Sequence, residues 1–240
     1  MADAVTSQTL LDTEKKCIFK FTNISDGSGE ANVKKIDVST LTWAKHTITL
    51  SGAASPNFKI GEVLTVGAEH YLVVGFTAGA STGEVVGWDN TNKKATAIDA
   101  SSSGSDAVSG GVSGSNTRTY SSIAEQDYEL LVTKIMWATI GCQVGIEWDG
   151  SGAEKYIGEF GGNGVWNMSQ NELPGIPINA TGDSGNVLGD IQFSTADQAG
   201  TDSYTIIMEC KKQAPGYDIP QYEQNAVLGY PVDFKLGNFT

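Results

Sequence analysis

Hydrophobic side chains recur at every second position in several segments, and this period constrains the fold more than any other feature of the chain. In residues 140–148, Ile, Cys, Val, Ile and Trp alternate with Gly, Gln, Gly and Glu, and residues 17–21 and 204–210 alternate in the same way. A period of two places one set of side chains on a core face and the other towards solvent or a partner. Because no segment sustains a helical stripe for three turns, the sequence predicts an all-β protein.

Glycine-rich segments punctuate these strands and predict the turns between them. They lie at 26–29, 149–152, 161–164 and 181–185. With 29 glycines among 240 residues and 40% hydrophobic residues, the chain has enough turns and enough apolar surface for many short strands around one core. This pattern is typical of a sandwich or barrel, and we expect a jelly-roll-like β-sandwich formed by residues 1–41 and 119–212.

The middle of the chain, residues 42–118, is predicted to form a small β module inserted into the sandwich. Five short predicted strands with tight links lie at 46–50, 62–66, 69–76, 83–88 and 93–98. They are followed by residues 101–115, of which 11 of 15 are Ser or Gly. A stretch with so little apolar surface is typical of a flexible linker, which we expect to end the module.

Residues 213–240 differ from the rest, because they combine three prolines with five aromatic residues. Proline interrupts regular structure, and so many aromatic side chains are unusual for a solvated tail. We expect an extended arm that lies along a neighbouring subunit; an arm packed on its own domain is the alternative. The predicted interface residues are Tyr217, Tyr222, Tyr230, Phe234 and Phe239.

The charge excludes some partners. The formal net charge is −13, and Arg118 is the only arginine, so no basic surface for a nucleic acid is expected. Residues 119–240 hold five basic and sixteen acidic residues, which indicates either solubility or a docking surface for a basic partner. No apolar run approaches the ~20 residues of a membrane span, and residues 1–8 do not resemble a secretion signal.

Catalytic and metal-binding patterns are weak. Residues 182–185, Gly-Asp-Ser-Gly, resemble the nucleophile segment of chymotrypsin-like proteases, but a triad needs a histidine base. His46 and His70 are the only histidines and both fall in the predicted module, so we expect a glycine-rich turn and no enzyme. Alternating oxygen ligands within 26–30 and 149–154 could suit Ca²⁺, yet neither segment is a complete loop, and hairpin turns are favoured. No metal or other cofactor is predicted.

Two further residue types are candidate sites. Cys17, Cys142 and Cys210 fall on the inward parity of predicted strands, which favours buried reduced thiols and leaves an inter-subunit disulfide as the alternative. Trp137 and Trp148 lie in strong strands and are predicted to be core residues. Trp88 precedes a turn and is the best candidate for exposed stacking on a glycan.

Several segments resemble small β-sandwich structural proteins of tailed-phage virions, of the head decoration or neck type. The resemblance rests on Val-Thr-Ser-Gln-Thr-Leu at 5–10, Lys-Phe-Thr-Asn-Ile-Ser-Asp-Gly at 20–27 and the segment 33–41. Gly-Asp-Ile-Gln-Phe-Ser-Thr at 189–195 and Asp-Ser-Tyr-Thr-Ile-Ile at 202–207 are similar to the closing strands of these proteins. The resemblance covers about residues 5–41 and 124–212. Members of the family resemble single sandwiches without the insert or the arm, and they offer no catalytic residues.

The resemblance implies a structural role. We expect a head decoration or cement protein that forms a homo-oligomer, a trimer or a hexamer, and binds other virion proteins such as the major capsid protein. It would be located in the virion, which is assembled in the host cytoplasm. A neck or collar protein at the head–tail junction is the alternative within this class. A carbohydrate-binding module is an alternative from another class.

Overall fold

The computed structural model describes residues 4–54, 57–98, 104–110, 114–126, 128–149, 155–168, 189–214 and 216–217, with only the backbone at 114–117. These residues form fourteen β-strands and one short 3₁₀ helix at Val38–Thr40, which confirms the all-β prediction. The strands are β1 (Thr6–Asp12), β2 (Lys16–Asp26), β3 (Val33–Ile36), β4 (His46–Leu50), β5 (Val63–Val66), β6 (Glu69–Phe76), β7 (Thr82–Asp89), β8 (Lys94–Thr96), β9 (Ala107–Gly110), β10 (Gly114–Glu125), β11 (Glu129–Trp148), β12 (Lys155–Asn167), β13 (Ile191–Ala196) and β14 (Gly200–Gln213). The described residues contain no helix that could serve as a membrane span.

The first sheet is antiparallel and is organised around β11. Its strand order is β1-β2-β14-β11-β13-β3, and β12 also pairs with β11. The first half of β11 pairs with β14 and its last part pairs with β13, whereas β12 pairs with both halves. Since a strand has two edges, β13 and β14 follow one another along the edge of β11 opposite β12.

The long strands of this sheet bend at a common line. Gly141 in β11 has φ +76° and Gly162 in β12 has φ +68°, and the β11–β12 register is interrupted beside them. A side chain at Gly141 would also collide with the Asp202 carboxylate. Glycine therefore meets both the backbone and the space requirements of the bend.

The bend brings the two halves of the sheet together around one core. Phe21 of β2 packs edge to face against Phe193 of β13, with ring centroids 5.0 Å apart. The predicted inward residues of 17–21 and 204–210 are all buried in this core, as expected from their alternation. Trp148 is fully enclosed there, and Trp137 packs against the core in a half-buried position.

Two sequence expectations fail at the bend. Ile140 shares the parity of the buried residues 142–148, yet 70% of it is exposed, because the positive φ of Gly141 breaks the alternation. The predicted turn at 161–164 lies inside β12 instead. Gly162 there supplies a bulge within a continuing strand.

The second sheet closes on itself. Its order is β4-β10-β9-β5-β6-β7-β8, and β4 also pairs with β7, so six strands form a small barrel with its own core. The described part of the Ser/Gly-rich stretch is not a linker, since Ala107–Gly110 is β9 and Val108 is 1% exposed in the barrel core. This sheet runs from His46 to Glu125, whereas the predicted module is 42–118; the division into domains stays a prediction.

The barrel and the sandwich share a buried contact. The Tyr128 hydroxyl donates a hydrogen bond to the Lys45 carbonyl at 2.9 Å, and the ring of Tyr128 packs 5.5 Å from that of Tyr217. Tyr217 in turn forms a β-bridge with Ala44. Burial raises the pKa of Tyr128 and lowers the pKa of the adjacent His46.

Candidate functional site

A cleft of about 620 Å³ lies where the β1–β2 turn, the segment that precedes β4, and the β7–β8 hairpin converge. We call it the tryptophan cleft, because two of the five tryptophans of the chain line it. Its lining residues are Asp12, Thr13, Glu14, Thr42, Trp43, Trp88, Lys93, Lys94 and Ala95.

Trp43 contributes an indole ring from a strained backbone position. It has φ 65°, a conformation that is an outlier for a bulky side chain. The turn is held because the Ala44 amide donates to the Leu41 carbonyl at 3.2 Å. Lys93, at the tip of the β7–β8 hairpin, also has a positive φ, of 54°. Residues held in such conformations are enriched at functional sites.

Trp88 contributes the second ring, from the end of β7 that pairs with β8 outside the barrel. It pairs with Ala95 across β7 and β8 and belongs to neither hydrophobic core. The sequence predicts an exposed ring, whereas the residue is half-buried. Its Nε1 atom is buried and has no hydrogen-bond partner among the described residues. An unpaired buried donor costs roughly 1–3 kcal/mol, so the buried Nε1 atom of Trp88 is an energetically unfavourable feature of the fold.

Asp12 forms a rigid, charge-paired part of the cleft wall. One of its carboxylate oxygens accepts from the Lys212 ammonium, and the other accepts from the Thr42 amide at 2.9 Å. Lys212 has no exposed side-chain surface; it also donates to the Thr42 carbonyl at 2.6 Å and lies 5.3 Å from the Tyr217 ring centroid. Burial lowers the pKa of Lys212, against the opposing effect of Asp12.

A second feature is the open edge of the sandwich, which we define as β1. Within the described residues, β1 pairs only with β2, and every residue of it except Asp12 is exposed, so both faces of the strand are open. Leu10 is 52% exposed. A narrow groove of about 110 Å³ runs from Ser7, Gln8 and Thr9 to the segment 35–41 and reaches the core rings Phe19 and Phe21.

The predicted site residues are spread over the chain. The three cysteines are free and buried, and Cys17 lies directly opposite Cys210 in the β2–β14 register. Tyr217 is 1% exposed and belongs to the sandwich core, which differs from its predicted contact with a neighbouring subunit. The other arm residues, Tyr222, Tyr230, Phe234 and Phe239, lie outside the described residues, as does the 182–185 segment.

Sequence reasoning missed the partners of Trp88. Trp43 and Asp12 are far from it in the sequence, and only the docking of the barrel on the sandwich brings the three together.

Among the described residues, no group of three or more His, Cys, Asp and Glu side chains is arranged to hold a metal ion. In comparisons with known proteins, no protein-family model matches the chain, and no curated protein matches it.

Proposed function

We propose that this protein is a structural subunit of a tailed-bacteriophage particle: a head decoration or cement protein that forms a homo-oligomer and binds neighbouring virion proteins. The proposal starts from the resemblance of residues 5–41 and 124–212 to virion sandwich proteins. Repetitive assembly requires surfaces that pair with identical or related subunits. The neck or collar role remains the alternative within the same class.

The open edge of the sandwich is the observation that carries the proposal. An edge strand presents unpaired backbone donors and acceptors, and soluble monomers usually blunt such edges with charges or proline. β1 has no proline over Thr6–Asp12, its one charged residue, Asp12, is paired with Lys212, and its two leucines, Leu10 and Leu11, are 52% and 39% exposed. A strand with exposed leucines and an edge that is unpaired among the described residues supports pairing with a strand of a neighbouring subunit.

The test is the mass of the protein in solution. We expect the full chain to form a trimer or hexamer of its 25.3 kDa subunit by light scattering, and Leu10→Lys to shift it towards the monomer. Ile60→Lys is the matched control, since Ile60 is 69% exposed but lies in the loop before β5. A monomeric wild-type chain, or a Leu10→Lys chain that assembles normally, would contradict the proposed use of this edge.

The copy number per particle separates the two positions in a virion. A decoration protein covers a repeating capsid lattice, so quantitative mass spectrometry of purified particles should find hundreds of copies. About six to twelve copies would instead indicate the neck, where symmetry is low and cyclic. Absence of the chain from purified particles would refute a virion role altogether.

A further inference from the structure

We propose that the tryptophan cleft is a binding site for a short, uncharged saccharide, which stacks on Trp43 and Trp88 and hydrogen-bonds to the polar residues around them. This site is separate from the assembly role proposed above. The cleft shares only Asp12 with the open edge β1, and Asp12 is the one residue of β1 that is not exposed.

The size and position of the cleft suit a small ligand. Its volume of about 620 Å³ falls within the roughly 300–1,000 Å³ that is typical of small-molecule sites. Such sites occur preferentially where two structural units meet. Here the β1–β2 turn comes from the sandwich, and Trp88, Lys93 and Lys94 come from the barrel hairpin.

The lining combines aromatic rings with polar side chains, which favours an amphipathic ligand. Trp88 is not part of either core, so its ring is not required to fill one. Polar side chains from both sheets, including Thr42, Glu14 and Lys94, accompany the two rings. A pyranose has apolar C–H faces that can cover an indole ring and equatorial hydroxyls that can exchange hydrogen bonds with such groups. An aliphatic or purely aromatic ligand would cover the two rings but would exchange no hydrogen bonds with the polar rim.

The balance of charge favours a neutral ligand over an anion. The lining contains two carboxylates, Asp12 and Glu14, and two ammonium groups, Lys93 and Lys94. Asp12 is already neutralised by Lys212, so Glu14, Lys93 and Lys94 leave one net positive charge, which the Asp89 carboxylate near Lys94 offsets. A phosphate or sulfate would meet no concentrated positive charge here, and no arginine lines the cleft.

The strained backbone is also typical of a functional site. Trp43 is one of the five non-glycine residues with positive φ in the described chain, and it lines this cleft; the positive φ of Lys93 is ordinary for the end of a hairpin turn. The positive φ of Trp43 costs of order 1–3 kcal/mol, and such strain persists where the position of a side chain matters. Strain at Trp43 therefore agrees with a ring that is held in place for contact with a ligand.

The experiment uses the full chain on a glycan array that carries neutral, sialylated and sulfated glycans, followed by calorimetric titration with the neutral oligosaccharide that binds best. We expect binding to neutral glycans with a dissociation constant of about 10 µM to 1 mM. Trp88→Ala should weaken it about tenfold or more, because the stacking surface is lost. Tyr156→Ala is the matched control, since this ring is 72% exposed on β12, outside the cleft, and binding should not change.

Two further variants keep the test decisive if Trp88→Ala alters folding. Trp88→Phe retains an aromatic ring and should lose less affinity than Trp88→Ala. Lys94→Ala changes an exposed side chain and should weaken binding about two- to tenfold through a lost hydrogen bond. The proposal is overturned if no glycan binds, if only acidic glycans bind, or if the folded variants of Trp88 and Lys94 bind like the wild type. Since light scattering reads assembly separately, failure here would leave the structural role standing.

Discussion

The Tyr204 hydroxyl donates a 2.8 Å hydrogen bond to Glu30 Oε2 inside the sandwich. The other oxygen of that carboxylate accepts from Lys35 Nζ at 2.7 Å and from Asn23 Nδ2 at 3.0 Å. The side chains of Glu30 and Lys35 are only 5% and 3% exposed. This buried network ties β2, β3 and β14 together beside the bend, so it stabilises the packing of one half of the sheet on the other.

Removing the buried cation should be far more costly than removing its neighbour in the sequence. Lys35→Met leaves the Glu30 carboxylate buried without its ion-pair partner, and we expect the free energy of unfolding to fall by about 3–5 kcal/mol. Lys34→Met is the control, because Lys34 is 48% exposed in its ion pair with Asp190 and its loss should cost about 1 kcal/mol or less. Urea unfolding measures both. Equal losses would mean that the Glu30 network does not stabilise the bend.

Buried tyrosines should make the protein sensitive to alkali. Burial raises the pKa of Tyr128, Tyr204 and Tyr217 above the ordinary value of 10.0. Above pH ~10 the unfolded chain loses protons that the folded chain retains, so the free energy of unfolding falls as the pH rises. Each tyrosine contributes up to about 1.4 kcal/mol per pH unit. The pKa of Lys212 is lowered from 10.5. Just below pH 10.5 this residue therefore makes the free energy of unfolding rise with pH, which opposes the effect of the tyrosines.

The change in the free energy of unfolding with pH tests this expectation, rather than its value at any one pH. Tyr128→Phe removes a hydroxyl that donates to the Lys45 carbonyl, so the variant is less stable at neutral pH, but its stability should decline less steeply above pH 10. Tyr156→Phe should leave the slope unchanged, since this ring is 72% exposed. Urea unfolding at several values between pH 8 and 11 gives the slopes. An unchanged slope in Tyr128→Phe would show that this hydroxyl ionises normally in the folded protein.

Local pattern predicted the strands well, because alternation is a local property. The expected strands at 46–50 and 69–76 coincide with β4 and β6, and the buried parity of 204–210 is correct. The alternation misplaces Ile140, because one positive φ, at Gly141, reverses the parity of the residues that precede it. Composition alone missed β9, since Ser and Gly can form barrel strands when a single residue, Val108, supplies the buried contact.

The candidate site depends on contacts between distant segments, which alternation does not encode. The sequence distinguishes Trp88 because a turn follows it, but nothing near it in the sequence points to Trp43 or Asp12. The buried ion pair of Asp12 with Lys212 joins residues 200 positions apart and becomes apparent only when β14 lies near the β1–β2 turn. A strained Trp43 likewise has no sequence signature, because bulky residues are not expected at positive φ.

The cysteines should be unreactive in the folded protein. Cys17 and Cys210 have no exposed surface, and the Cys17 thiol together with burial raises the pKa of Cys210. Burial also raises the pKa of Cys142. Because the thiolate is the reactive form, a thiol reagent at pH 8 should modify less than one cysteine per native chain and all three after unfolding. A covalent dimer on a non-reducing gel of native protein would contradict this and would support the inter-subunit disulfide.

The start of the predicted arm should stabilise its own domain, whereas the rest should serve assembly. The Lys45 amide donates to the Gly216 carbonyl at 2.9 Å, and the Tyr217 hydroxyl donates to the Val38 carbonyl at 3.1 Å. A chain that ends at Lys212 loses these contacts and a core ring, so its free energy of unfolding should fall by about 3–5 kcal/mol. A chain that ends at Asp218 keeps them and should melt like the full chain while forming smaller oligomers, as measured by calorimetry and light scattering. If it assembles normally, residues 219–240 are not the assembly arm; if it melts as low as the shorter chain, they brace their own domain instead.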